Sequence, residues 1–141
     1  MRYLDRSQPL ALLVLRLVLG SIMIAHGYGK VLGGGMSHHV QFVSSLGLPG
    51  WMAYFSAYTE FFGGILIILG LFTRIAALGM LINMLVAISR VHWKKGLVGP
   101  GGFEFPLSLA AISLALIFFG AGPIAMDAIR RGGGWAGKKL S

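Results

Sequence analysis

The sequence predicts an all-α, polytopic membrane protein that folds as a four-helix bundle. Of its 141 residues, 56% are hydrophobic and only 11% are charged, whereas about 25% of the residues in a soluble domain are charged. Four apolar blocks also approach the roughly 20 residues that a helix needs to cross the hydrocarbon core of a bilayer. We therefore divide the chain into a short amino-terminal segment, a membrane domain and a basic tail, at residues 1–8, 9–128 and 129–141.

The four membrane spans are predicted at residues 9–27, 51–72, 75–93 and 103–122. The first follows Arg2 and Arg6, as the apolar part of a signal peptide would. Because Arg16 interrupts it and no small-residue cleavage site follows, we expect it to be retained as a helix. Only Thr73 and Arg74 join the second span to the third, so these two must form a tight antiparallel hairpin.

Glycine-rich stretches form the other two connections, at residues 33–36 and 96–102. After the first of them, residues 37–50 include a short amphipathic segment that is expected to lie on the membrane surface.

The positively charged residues outside the spans predict the orientation of the chain. Four lie on the side opposite the termini: Lys30, Arg90, Lys94 and Lys95. Seven lie on the side of the termini: Arg2, Arg6, Arg74, Arg130, Arg131, Lys138 and Lys139. The positive-inside rule then places both termini in the cytoplasm. We attribute the net charge of +8 to basic residues that orient the chain in the membrane and contact the lipid bilayer. No nucleic-acid partner is expected.

Three polar residues are predicted to lie inside the membrane at similar depth. At 1.5 Å per helical residue, Arg16, Glu60 and Asn83 each come to roughly 13 to 16 Å from the outer end of their span. An ionisable group in a bilayer requires a partner or water. We therefore expect a buried polar cluster of these residues in which Arg16 and Glu60 form an ion pair.

A second polar group is predicted at the outer ends of the spans, and we call it the outer vestibule. Its histidines could titrate or hydrogen-bond a quinone carbonyl, but they could equally form interfacial hydrogen bonds. His38 and His39 are adjacent and cannot share a helix face, so they are expected to be exposed loop residues, and no metal site is predicted. The outer vestibule comprises His26, Tyr28, Lys30, Arg90, His92 and Glu104.

Three motifs resemble the DoxX family in order and spacing. They are R-x3-G-x5-HG-x2-K from Arg16, E-x2-G-x6-G-x2-TR from Glu60, and G-x-G-x4-D ending at Asp127. The resemblance covers about residues 10–128 and implies a four-helix protein of the bacterial cytoplasmic membrane. The family is named after a subunit of a thiosulfate:quinone oxidoreductase, and other members have thiol-oxidoreductase or superoxide-detoxifying partners. Its recurring positions fall here on Arg16, His26, Gly27, Lys30, Glu60, Gly70, Arg74 and Asp127.

Three functions remain open from the sequence. The chain could be a subunit of a redox complex that binds quinone, a non-catalytic subunit that stabilises a larger membrane complex, or a component of a small-molecule permease. It has no cysteine, so a dithiol relay within the chain is excluded and a redox role would require electrons from a partner subunit. No catalytic residue and no covalently bound cofactor is assigned.

Overall fold

The computed structural model describes residues 1–131, and within this range the chain is helical with no β-strand. The predicted all-α class is confirmed. The basic tail predicted at 129–141 lies mostly outside the described residues. The helices are α1 Arg2–Asp5, α2 Gln8–Val31, α3 Met36–Ser45, α4 Trp51–Leu69, α5 Thr73–Lys95, α6 Glu104–Phe119 and α7 Met126–Arg130.

Three of these helices, α2, α4 and α5, are long and apolar enough to cross a membrane, with 24, 19 and 23 residues. Helix α6 has 16 residues and a length of about 24 Å, so its role as a fourth span stays a prediction. Large apolar side chains also cover the outside of the helices, among them Val18, Phe62, Leu85 and Phe118. So many exposed apolar groups are typical of a surface in contact with lipid, and the chain is a membrane protein.

Helices α2, α4, α5 and α6 pack around a shared apolar core that includes Leu19, Met23, Ile67, Met80 and Leu116. Met23 and Met80 are almost completely buried. Flexible thioether side chains of this kind fill irregular gaps between helices.

Glycines allow α2 and α4 to approach each other closely. A Cβ atom on Gly20 would lie 2.7 Å from the backbone oxygen of Gly64, and one on Gly64 would lie 2.9 Å from that of Gly20. A Cβ on Gly27 would lie 2.6 Å from the backbone nitrogen of Phe61. Small residues permit such backbone contacts between membrane helices. They fix the register of α2 against α4 and thereby place the end of α2 beside Glu60.

The turn between α4 and α5 is held by a carboxylate from α7. Phe72 has a left-handed backbone with φ of 49°, which is uncommon for a residue with a side chain. The backbone N–H groups of Phe72 and Thr73 donate to the two carboxylate oxygens of Asp127, at 2.9 and 3.0 Å. Asp127 therefore caps the amino end of α5 and stabilises a tight hairpin. The connection predicted at Thr73 and Arg74 is displaced, because these two residues begin α5 and the turn is formed by residues 70–72.

Candidate functional site

A cavity of about 650 Å³ lies between the helices at the end where α2 finishes. Helices α2 to α6 all contribute to its walls. Most of the lining side chains are apolar or aromatic, including Met23, Phe42, Trp51, Phe55 and Leu109. The polar side chains that line it are Lys30, Ser56, Glu60 and Asn83, together with His26, His39 and His92.

Lys30 and Glu60 form an ion pair in the wall of this cavity. Lys30 Nζ donates to Glu60 Oε2 over 2.7 Å, and the Glu60 side chain is only 8% exposed. Lys30 belongs to α2 and Glu60 to α4, so the pair joins the two helices that Gly27 brings into contact. A carboxylate in a membrane interior requires a partner of this kind.

Asn83 and Ser56 extend the ion pair into a hydrogen-bonded cluster. Asn83 Nδ2 donates to Glu60 Oε1 over 3.1 Å, and Ser56 Oγ donates to Asn83 Oδ1 over 2.8 Å. Both carboxylate oxygens of Glu60 thus have a donor. Since Asn83 lies on α5, the cluster of Lys30, Ser56, Glu60 and Asn83 connects three helices, and we call it the Lys30–Glu60 cluster.

Two π-helical turns occur beside the cavity. One spans Thr59–Gly63 in α4 and contains Glu60, and the other spans Ile88–His92 in α5 and contains His92. A π turn inserts one extra residue into a helix and changes the direction of the side chains that follow. Such turns are rare and are frequent at functional sites. Both occur here in helices that supply polar groups to the same cavity.

The expected ion pair between Arg16 and Glu60 is wrong. Arg16 is almost fully buried, and its guanidinium donates to the backbone oxygens of Ile67, Ile68, Ala121 and Ile124, at 2.9, 2.7, 3.1 and 2.6 Å. It thus binds the carbonyl groups at the end of α4, where a cation is favoured, together with the segment that follows α6.

The error came from the position of the end of the first span. Helix α2 continues past residue 27 to Val31, so Arg16 lies about four residues farther from the outer end of its helix than predicted. Lys30 is fourteen residues after Arg16 on the same face of the helix, about 21 Å along the axis. Lys30 therefore reaches the level of Glu60, and Arg16 reaches the opposite end of α4.

The structure brings only part of the outer vestibule into the cavity. His26, Lys30 and His92 line it, and His92 Nδ1 lies 2.7 Å from the backbone oxygen of Gly101. The other three residues assigned to the vestibule are exposed and are not in the cavity wall, because their side chains point outward from the helices: Tyr28, Arg90 and Glu104.

His39 was expected to be an exposed loop residue, and this is wrong. It lies on α3 with its ring in the cavity wall, and its Nε2 atom is buried. Burial, and next the positive charge of Lys30, lower the pKa of His39 below its usual value, against the opposing effects of Glu60 and the Ala53 backbone. The signal in the sequence was the stripe of His39, Val43 and Leu46, spaced as one face of a helix.

The site has the chemical character of a pocket for an apolar molecule with polar ends. Small-molecule pockets are mostly apolar, have volumes of roughly 300 to 1,000 Å³, and carry a few polar groups that orient the ligand. Here the ammonium group of Lys30 and the imidazole of His39 can donate hydrogen bonds, and the carboxylate of Glu60 can accept them.

Comparisons with known proteins place this chain in a family. The family model described as DoxX matches residues 11–93. "Putative oxidoreductase CatD" of Bacillus subtilis (strain 168) is 37% identical over 113 residues, which cover 80% of this chain and 83% of that protein. "Inner membrane protein YphA" of Escherichia coli (strain K12) is 33% identical over 137 residues, covering 90% of this chain and 96% of that protein.

An uncharacterized protein of Haemophilus influenzae (strain ATCC 51907 / DSM 11121 / KW20 / Rd) is 33% identical over 132 residues, covering 90% of this chain and 96% of that protein. No solved structure matches the chain significantly. The family model covers more than half of the chain, and these relatives are matched over most of their length. The chain therefore belongs to the DoxX family of membrane proteins.

Proposed function

We propose that this protein is the membrane subunit of a redox complex and that its cavity binds a quinone. The observation that supports this most is the polar Lys30–Glu60 cluster in the wall of an otherwise apolar cavity of about 650 Å³. The relative named "Putative oxidoreductase CatD" supports a redox role.

The chemistry of a quinone fits these walls. Its ring is flat and apolar, so it would pack against aromatic and aliphatic side chains such as Phe55 and Leu109. Its carbonyl oxygens require donors. The ammonium group of Lys30 has three N–H donors, of which Glu60 takes one. Glu60 can in turn accept a hydrogen bond from a quinol hydroxyl, so the same cluster serves the oxidised and the reduced ring.

The chain would work with a partner. A quinone accepts two electrons and two protons on reduction, and the chain has no cysteine from which electrons could come. A second subunit would then carry the electron donor, while Lys30 and Glu60 hold the ring by hydrogen bonds.

We also propose a location in the bacterial inner membrane with both termini in the cytoplasm. The printed name of the relative YphA supports the membrane, and the larger number of Lys and Arg residues on the side of the termini supports the orientation. The cavity would then lie toward the outer half of the bilayer, since Lys30 is at the opposite end of α2 from the amino terminus.

Quenching of tryptophan fluorescence tests quinone binding. Trp51 lines the cavity and Trp93 does not, so a short-chain quinone added to the purified protein in detergent should quench Trp51 in a saturable manner. Trp51→Phe should abolish the saturable signal, and Trp93→Phe should leave it unchanged. Glu60→Gln and Lys30→Met should weaken binding. A wild-type protein that gives no saturable quenching, yet co-purifies with a larger complex, would instead support a non-catalytic accessory subunit.

A further inference from the structure

We propose that His39 Nε2 forms a hydrogen bond with a ring oxygen of the quinone in the cavity, so that α3 is part of the binding site. This inference rests on the proposed function and adds a specific contact to it. Nothing in the similarity to known proteins assigns a role to this histidine. Three observations support it: the burial of its ring nitrogen, its position on α3, and its relation to the Lys30–Glu60 cluster.

The first observation is an unpaired nitrogen in the cavity wall. Among the described residues, His39 Nε2 is buried and has no hydrogen-bond partner of good geometry, although the Ala53 backbone lies close enough to the ring to affect its pKa. Buried polar groups in proteins are nearly always hydrogen-bonded, and one that lacks a partner is unfavourable. Because the ring borders the cavity, a ligand oxygen there would supply the missing partner.

The second observation is the face that α3 presents to the cavity. His39, Phe42, Val43 and Leu46 all line the cavity and follow helical spacing. His38, one residue earlier, is exposed and lies outside the cavity wall. The helix thus places one of two adjacent histidines in the cavity and the other outside it.

The third observation is that a second polar group of a different type lines the same cavity. A quinone has two carbonyl oxygens on opposite sides of its ring. The ammonium group of Lys30 could donate to one oxygen and His39 to the other, with apolar side chains such as Phe55 along the ring. The lowered pKa of His39 favours the neutral form of its ring, and a neutral imidazole can donate to a carbonyl or accept from a hydroxyl.

Titratable groups other than Lys30 and Glu60 also face this cavity. They are His26 on α2 and His92 on α5. Both lie in the wall with Lys30, so variants at these positions must be measured beside His39 if binding changes with pH.

Quinone affinity measured by Trp51 quenching tests the contact. His39→Phe keeps a ring of similar size and removes the hydrogen bond, so it should bind a short-chain quinone about tenfold more weakly. His39→Gln retains a donor and an acceptor and should lose about threefold or less. The matched control, His38→Phe, should bind like the wild type.

Nitrogen NMR of ¹⁵N-histidine-labelled protein gives a second measurement that does not depend on a variant binding the quinone. The His39 resonances are identified by their absence from His39→Gln. Saturating quinone should shift them and leave those of His38 unchanged.

The outcomes separate the two proposals. If wild-type protein binds quinone but His39→Phe binds equally well, if His39→Gln is as weak as His39→Phe, or if the His39 resonance does not move, the His39 contact is wrong and quinone binding stands. If the wild-type protein shows no saturable binding, quinone binding is wrong and the His39 contact is wrong with it.

Discussion

Lys30 Nζ lies 2.7 Å from Glu60 Oε2, and this ion pair joins α2 to α4 at the cavity. Arg16, on the same face of α2 about 21 Å away, binds backbone oxygens at the other end of α4. The two basic residues of α2 therefore have separate roles. Arg16 stabilises the packing of helix ends, and Lys30 neutralises the carboxylate in the cavity wall.

The Lys30–Glu60 pair predicts non-additive effects on stability. Lys30→Met or Glu60→Leu alone leaves one charge without its partner and should lower the free energy of unfolding by about 2 kcal/mol, less than for a fully buried pair because the Lys30 side chain is 25% exposed. The double variant removes both charges, so its loss of stability should be at most half of the loss in either single variant. Denaturant titration in detergent measures it, with the exposed Lys94→Met as a control that should change stability by less than about 0.5 kcal/mol. A double variant as unstable as the sum of the singles would show that the pair does not interact.

Arg16 should be essential for stability and energetically independent of Glu60. Its guanidinium donates to four backbone oxygens that no other described side chain satisfies, and a lysine cannot reproduce that geometry. Arg16→Lys should lower the free energy of unfolding by about 3 kcal/mol. In a double-mutant cycle with Glu60→Gln, the effects should add within about 0.5 kcal/mol. A coupling energy above about 1 kcal/mol would mean that the two residues interact after all.

Two glycines of α2 should respond differently to alanine. A Cβ on Gly27 would lie 2.6 Å from the Phe61 backbone, so Gly27→Ala must separate α2 from α4 and should lower the free energy of unfolding by about 1 to 3 kcal/mol. Gly29 has nothing within 4 Å of a Cβ, and Gly29→Ala should raise it by about 0.5 kcal/mol or leave it unchanged. Thermal unfolding of the two variants distinguishes these outcomes, and equal losses would show that Gly27 is not a contact point.

Asp127 should make the hairpin sensitive to acid. Burial alone would raise its pKa, but the N–H groups of Thr73 and Phe72 and the charge of Arg130 outweigh this, so the pKa lies below its ordinary value. A carboxyl whose pKa is lower in the folded state contributes stability above its ordinary pKa, and that stability is lost as the pH falls through the lowered value. Asp127→Asn should therefore lower the free energy of unfolding by about 1 to 2 kcal/mol at neutral pH.

The stability difference between Asp127→Asn and the wild type should become smaller in acid, because the wild-type carboxyl is then protonated and uncharged, like the amide. Melting temperatures between pH 7 and pH 3 measure this, and the exposed Asp5→Asn is the control. A difference between Asp127→Asn and wild type that stays constant over the whole range would show that the carboxylate charge is not what caps α5.

The sequence predicted the helices well because hydrophobic blocks and their lengths depend on composition alone. The all-α class and three of the four predicted membrane helices are confirmed, and so is the resemblance to the DoxX family. The depth of a residue depends on where its helix ends. The end predicted at Gly27 was too early, because α2 continues through Gly27 and Gly29 to Val31, just before the glycine-rich connection at 33–36. The partners of Arg16 and Glu60 were therefore assigned wrongly.

Some features of the candidate site could not be predicted from the spacing of residues in the sequence. The π turns at Thr59–Gly63 and Ile88–His92 shift side chains by one position, and no local residue pattern predicts them. His39 could have been found, because the apolar stripe of α3 includes it. Its adjacency to His38 suggested an exposed pair instead. Asn83 and Glu60 were expected at one depth, and the structure joins them by a hydrogen bond.

Photoaffinity labelling tests the central claim, that the cavity binds a quinone, most directly. A short-chain quinone with an azide on its ring is irradiated with the purified protein in lipid nanodiscs, and the labelled peptides are identified by mass spectrometry. Labels should fall on cavity residues such as Phe42, Met52 and Met84, should be displaced by excess unlabelled quinone, and should be reduced in Glu60→Gln. Labels confined to outward-facing residues such as Val18 or Leu85, or labels that excess quinone does not displace, would contradict quinone binding in this cavity.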